Sequence, residues 1–310
     1  MKTNKYAALF LSFFAFLVLL GGCKKEASAQ ENVLKIDKDT SYAIGMYLAS
    51  QFTLPNVSYE YKSFSEGFKA TTEKEEPKFS LDEGISKIQA VIEQISARDE
   101  TGAQDEVVKI DVDTSYAIGM YLASQFTIPD VTYNYPSFSE GFKAFVEAKE
   151  TKFSMDDAIP KIQAVFDQVT AREEVKNQEL GAKNLDEGLA FLAENGTKPG
   201  IVTTSTGLQY EVITEGSGAK PTAQDEVRVD YEGTLLDGTV FDSSYARGEP
   251  IEFPLNGVIP GWTEGLQLMA EGSTYRLFIP SDLAYGSQGG GPIPPNSTLI
   301  FKVELLAVVK

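Results

Sequence analysis

The sequence predicts an α+β protein. A carboxy-terminal antiparallel sheet wraps on one short helix, and an all-α duplicated region and a long connecting helix precede it. Three observations carry this expectation. Residues 33–100 and 107–174 are one helical segment written twice. Residues 172–194 are charged, with leucines at helical spacing. From residue 201 onward, short alternating or β-branched runs are bounded by Gly, Pro, Asn and Asp, the mark of strands joined by turns. Helices followed by strands define the α+β class. The expected segments are 1–22, a lipoprotein signal peptide; 23–32, a polar tether; 33–100 and 107–174, the two helical repeats; 175–200, connecting helix and linker; and 201–310, the β-rich domain.

At the amino terminus, Lys2 and Lys5 precede an apolar run over 7–20. A bilayer span needs about 20 apolar residues, so this run reads as an export signal. It ends in Leu20-Gly21-Gly22-Cys23, which resembles the bacterial lipobox, with the chain's single Cys at the position that is acylated. Lipidation at Cys23 is therefore expected, and with it a membrane anchor. No Asp follows Cys23, so an outer membrane lipoprotein facing the periplasm or the cell surface is favoured.

The duplication is gapless, and about two-thirds of the positions match. Each copy reads as three helices. The first covers 40–52 and stops before Pro55; the second opens at Ser63-Phe64-Ser65-Glu66 and the third at Ser80-Leu81-Asp82-Glu83, both capping-box patterns. Copy two repeats these openings at 137–140 and 154–157, and its third helix carries Ile159, Ile162, Phe166 and Val169 as one apolar stripe. Two copies of this size are expected to bury those stripes against each other, as an intramolecular pseudo-dimer, or against a second chain, as a homodimer. Tyr42, Met46, Tyr116 and Met120 read as packing residues. Leu185, Leu189 and Leu192 extend the last helix as the connector, although Gly181 and Gly188 weaken it. Asn195-Gly196 with Pro199 beyond is a stop signal.

In the carboxy-terminal segment, strands are expected over 207–213, 226–233, 273–279 and 298–309, with a hairpin at Asp237-Gly238. One helix, 262–269, places Trp262, Leu266 and Met269 on one face. Tyr231, Phe241, Trp262 and Tyr285 each lie beside a Gly or Asp turn, and together with Phe301 on its apolar run these side chains can converge into one apolar pocket with polar tips.

Composition narrows the chemistry. With no His and one Cys, the chain cannot build a Ser-His-Asp or Cys-His site, a His-based metal site or a zinc-thiolate site. That composition leaves no metal expected, and since no phosphate-binding glycine loop lies in a strand–turn–helix setting, no nucleotide cofactor is expected either. A formal charge of −18 without a Lys/Arg cluster argues against nucleic acid as a partner.

The residues 231–233, 237–244, 258–262, 283–286 and 293–301 together resemble the FK506-binding-protein (FKBP) class of peptidyl-prolyl cis/trans isomerases. The helical region, connecting helix and terminal domain further resemble the macrophage infectivity potentiator group, whose helical region dimerises. That resemblance implies an isomerase acting on X–Pro bonds of unfolded or exported polypeptides, with folding-chaperone activity and FK506- or rapamycin-type macrolides as inhibitors. It implies Trp262 as the floor under the proline ring, with Tyr231, Phe241, Val258, Ile259, Ile293 and Phe301 around it. It also implies the Tyr285 hydroxyl and the Ile259 N–H on substrate carbonyls, and Asp242 with Arg247 where the twisting carbonyl passes. Two departures stand out: Ile251 replaces a common aromatic, and the loop 287–292 is glycine-rich. The competing reading is a lipid-anchored chaperone or surface-binding protein with weak residual isomerase activity.

Overall fold

The computed structural model describes residues 33–309 apart from Thr53. The signal peptide, Cys23 and the tether lie outside the described residues. The chain divides into two compact units, which among the described residues are 33–172 and 173–309.

In the first unit, copy one supplies β1 (Leu34–Lys35), α1 (Lys38–Gln51), β2 (Val57–Ser58), α2 (Tyr61–Thr72) and α3 (Leu81–Glu100). Copy two supplies β3 (Val108–Lys109), α4 (Val112–Gln125), β4 (Val131–Thr132), α5 (Tyr135–Val146) and the start of α6 (Met155–Asn195). Asp37 and Asp111 start α1 and α4, accepting from the backbone N–H of Thr40 at 2.9 Å and of Thr114 at 2.7 Å. Such caps satisfy donors that the first turn leaves unpaired.

The copies cross-pair. Strand β1 is parallel to β4, and β2 to β3. Helix α1 packs on α5, and α2 on α4. Ser41 and Ser115 reach across, accepting the backbone N–H of Asn134 and Glu60 at 2.9 and 3.0 Å. In the shared core, Phe64 meets Phe142 and Phe68 meets Phe138, both at 4.2 Å between ring centroids. Tyr42 and Met46 bury against Ala144, and Tyr116 and Met120 against Ala70, in two small clusters of packing residues. Glycine permits these crossings. A Cβ on Gly45 would lie 2.0 Å from the Phe138 carbonyl oxygen, and one on Gly119 at 2.0 Å from that of Phe64.

Two features depart from what the sequence predicts. The second helices do not open at Ser63 and Ser137 but two residues earlier, at Tyr61 and Tyr135. Both serines are buried in the first turn. In copy two it is Asn134 that caps, accepting the Ser137 N–H at 3.1 Å. Glu66 and Glu140 instead face lysines, Lys78 at 3.6 Å and Lys152 at 2.9 Å. The capping box at Ser80 and Glu83 is present. The buried stripe of α6 is turned by one residue: Ala158, Ile162, Val165 and Val169 face the core, Phe166 is half-buried, and Ile159 is 49% exposed. Leu185 and Leu189 are exposed as well.

Helix α6 nevertheless runs unbroken through Gly181 and Gly188. Its second half belongs to the second unit, where Gly181, Gly188 and Asn195 are buried. This unit continues with β5 (Ile201–Thr203), β6 (Gln209–Thr214), β7 (Glu226–Thr234), β8 (Val240–Ser243), the single turn α7 (Ser244–Arg247), β9 (Ile251–Pro254), α8 (Pro260–Leu268), β10 (Thr274–Ile279) and β11 (Leu299–Val309). The sheet order is β5-β6-β10-β11-β7-β8, with β9 also on β7. All of these pairings are antiparallel. The expected hairpin forms, with Gly238 at φ +85° and Asp237 Oδ1 accepting the Thr239 N–H at 3.0 Å. Trp262, Leu266 and Met269 face the core under the sheet's Tyr275, Leu277 and Ile279. Helix α8 sits close because Gly261 and Gly265 leave room for Ile279 and Leu277.

Candidate active site

Strand alternation aims Tyr231, on β7, and Phe301, on β11, into the same core as Trp262 on α8. The Tyr231 and Trp262 rings meet edge-on at 5.1 Å, and Trp262 and Phe301 at 5.0 Å. Phe241, on β8, stands edge-on to Phe301 at 5.4 Å. Gly233 makes this possible, since a Cβ there would lie 2.6 Å from the Phe301 ring and 2.7 Å from that of Phe241. Ile293 is buried in the cluster, and Val258, Ile259 and Ile251 pack against it half-buried. The indole N–H of Trp262 is buried without a hydrogen-bond partner.

Beside the rings lies one polar network. The Tyr231 hydroxyl donates to Asp242 Oδ2, Arg247 Nη1 donates to Asp242 Oδ1, and Arg247 Nη2 donates to the Tyr231 hydroxyl oxygen at 2.9 Å. Burial works against the charge of Asp242, but the bonds from Tyr231 and Arg247 outweigh it and hold the carboxyl below the usual aspartate range. Burial pushes the Tyr231 hydroxyl up, and the bond to Asp242 adds to that shift. The result is a fixed, neutral phenol beside a carboxylate that stays ionised at neutral pH.

Ile259 is the N-cap of α8, so its carbonyl accepts from Trp262 N–H at 2.9 Å while its own N–H takes no part in the helix ladder. Tyr285 is not drawn into the ring cluster. It stands 43% exposed at the rim, its ring lying across Gly290, where a Cβ would approach within 2.9 Å. Thus Tyr231, Phe241, Asp242, Arg247, Trp262, Ile293 and Phe301 converge with Val258 and Ile259, and Tyr285 borders them.

Two neighbours were not read from the sequence. Phe253, on β9, places its ring 5.4 Å from Trp262. The alternation of half-buried Ile251 and Phe253 with exposed Glu252 and Pro254 was its signal. Buried Ser244 accepts the Tyr231 N–H at 2.8 Å and donates to Asp230 Oδ1 at 2.7 Å, tying the turn after Asp242 to β7. A separate open cleft of about 430 Å³ is lined by Phe191, Lys198, Glu211, Arg276, Phe278 and Ile300. Its charged wall is an Arg276–Glu211 ion pair at 2.7 Å, and it shares none of the convergent aromatic geometry.

This arrangement suits a reaction without nucleophile or proton donor. Residues 217–306 match the family model for the FKBP-type peptidyl-prolyl cis-trans isomerase, and residues 111–212 match that for the domain amino-terminal to it. The outer membrane protein MIP of Legionella longbeachae is 44% identical over 200 residues, covering 63% of this chain and 84% of that protein. The FKBP-type 22 kDa peptidyl-prolyl cis-trans isomerase of Escherichia coli K12 is 43% identical over 202 residues, covering 64% of this chain and 96% of the relative. Among solved structures, FkpA from Escherichia coli is similar at 33% identity and TM-score 0.48, covering 76% of this chain and 99% of that one. The chain belongs to the FKBP-type peptidyl-prolyl cis-trans isomerases. It is an enzyme of X–Pro bond rotation, and its family acts on proline-containing polypeptides and binds macrolides.

Proposed function

We propose that this isomerase accelerates X–Pro rotation in exported polypeptides, and assists their folding, by seating the proline ring on Trp262. Tyr231, Phe241, Val258, Ile293 and Phe301 form the walls. The Ile259 N–H and the Tyr285 hydroxyl hold the flanking carbonyls, and Asp242 with Arg247 faces the carbonyl that turns. The observation carrying this reading is the cluster of edge-on rings around Trp262 with a single charged network beside it. Rotation must overcome about 18–20 kcal/mol of amide resonance, and no covalent step is required. The planar amide is more polar than the twisted one, so a dry aromatic slot raises the ground state relative to the transition state. In a protease-coupled assay on a proline peptide, the purified protein should speed isomerisation, and FK506 should abolish the gain. An unchanged rate would overturn the assignment.

An envelope location, with Cys23 acylated, is supported by the lipobox-like run and by the name of the Legionella relative. The chain is proposed to be its own dimer. Cross-paired strands and a common aromatic core supply each copy with the partner it needs. Light scattering at micromolar concentration should give one chain's mass, 33.8 kDa less any cleaved signal. Twice that mass would count against the internal pairing as a replacement for a dimer contact.

A further inference from the structure

The loop that carries Tyr285 and Ile293 is braced from outside the sheet. Gly290 and Ile293 exchange both backbone hydrogen bonds at 2.9 Å, and the Asn296 N–H donates to the carbonyl of Gly286, next to Tyr285, at 2.8 Å. With the Tyr285 ring lying across Gly290, these contacts make residues 285–296 one tied piece. That piece rests on helix α6. Asn184 Nδ2 donates to the Pro295 carbonyl at 2.9 Å, and Asn296 Nδ2 donates back to the Gly181 carbonyl at 3.2 Å. Asn296 takes up a left-handed backbone, φ +54°, which a side chain rarely adopts and which Asn tolerates best after Gly.

The two glycines that weaken the helix by propensity are where this contact forms. A Cβ on Gly181 would lie 3.1 Å from that of Pro295, and one on Gly188 at 2.3 Å from Thr298 Oγ1. Gly181, Asn184 and Gly188 share one helix face, at spacings +3 and +7. Two glycines in a helix interior weaken it relative to alanine, so something else maintains the helix there. The packing against 295–298 supplies it.

We propose that Asn184 and Asn296 are positioning residues for the isomerase reaction: their reciprocal amide bonds fasten the connecting helix to the loop and thereby set Tyr285 and Ile293 against the substrate. The proposal rests on the assignment of Tyr285 and Ile293 to the site. It gives the connecting helix a part in substrate binding beyond linking two units.

The test is steady-state kinetics on the full chain. Asn184→Ala should raise KM for a proline peptide and weaken FK506 binding by about threefold to tenfold, the range one hydrogen bond supports, with kcat nearly unchanged. Asn296→Gly, which keeps the left-handed backbone and removes the other amide, should do the same. If Asn184 acts through Tyr285, Asn184→Ala should add little to a Tyr285→Phe variant. Wild-type KM in both asparagine variants, or full additivity with Tyr285→Phe, overturns the proposal while leaving the site assignment standing. Full activity in Tyr285→Phe alone overturns the assignment of Tyr285, and the proposal falls with it.

Discussion

Gly45→Ala is expected to destabilise the helical unit by about 3 kcal/mol, although helix propensity alone predicts a gain of about 1 kcal/mol. The sign is decided by distance. The added methyl would stand 2.0 Å from the Phe138 carbonyl oxygen and 2.9 Å from the Phe142 backbone nitrogen. Backbone cannot swing aside as a lysine tip can, so α1 and α5 must separate. Separation loosens the contact of Phe138 and Phe142 with Phe64 and Phe68, the centre of the core. A loss of this size is a large share of the 5–15 kcal/mol that holds a domain folded.

Gly84 is the internal control. Its Cβ would meet side chains rather than a backbone carbonyl, the Ala117 methyl at 3.3 Å and the Phe79 ring at 3.4 Å, and copy two already carries Ala158 at the matching position. Gly84→Ala should therefore stay within about 1 kcal/mol of neutral. Within the crossing of α1 and α5, Gly141 meets the Tyr42 carbonyl as Gly45 meets that of Phe138. Once one methyl has pushed the pair apart, the second finds room, so the double variant should cost less than the sum of the singles. Urea titration of Gly45→Ala, Gly84→Ala, Gly141→Ala and the Gly45/Gly141 double variant measures all of this. A stabilised Gly45→Ala would mean that the crossing is looser than its geometry.

The cross-pairing itself was only half legible in the sequence. The repeat, the helix pattern and the need for a partner all follow from matched residues and apolar spacing, but a stripe shows that a face is buried and not what buries it. Ser63 illustrates the limit. Ser-x-x-Glu is a start signal by local rules, yet the crossing with α4 buries Ser63 and Phe64 inside a helix already begun at Tyr61. Leu185 and Leu189 mislead in the opposite way: they keep helical spacing while the glycine face is the packed one. In the second unit more was readable. Asp237-Gly238, Gly233 and Trp262 each have one geometry that suits them, and those geometries converge on a single slot. Ser244 and Phe253 were hidden because their contacts, with the Tyr231 N–H and the Trp262 ring, arise from how the turn α7 folds back on β7 and how β9 meets α8, which local spacing does not show.

Asp242→Ala should lower kcat/KM by about tenfold, close to 1.4 kcal/mol of transition-state binding. Its carboxylate is 43% exposed, so solvent screens it, and a deeply buried group would be worth more. What the substitution removes is the anchor for two groups. Tyr231 loses the acceptor that fixes its hydroxyl at the slot, and Arg247 is left with that hydroxyl alone. Asp242→Asn separates charge from geometry, since the amide oxygen can still accept from Tyr231. If the field of the carboxylate acts on the turning carbonyl, Asn should be nearly as impaired as Ala; if only the position of Tyr231 matters, Asn should recover most of the rate.

The pH profile gives a second, independent reading of the same group. The folded carboxyl titrates below its unfolded value near 3.9. Its contribution to stability is therefore complete above that value and is lost as pH falls through the folded one. With no histidine in the chain and Tyr231 pushed up, the site network has no group that changes charge between about pH 5 and 9. The wild-type rate should be flat across that window and decline only in acid, and Asp242→Asn should lose the acid limb. A rate that titrates near neutrality would place the controlling group outside this network.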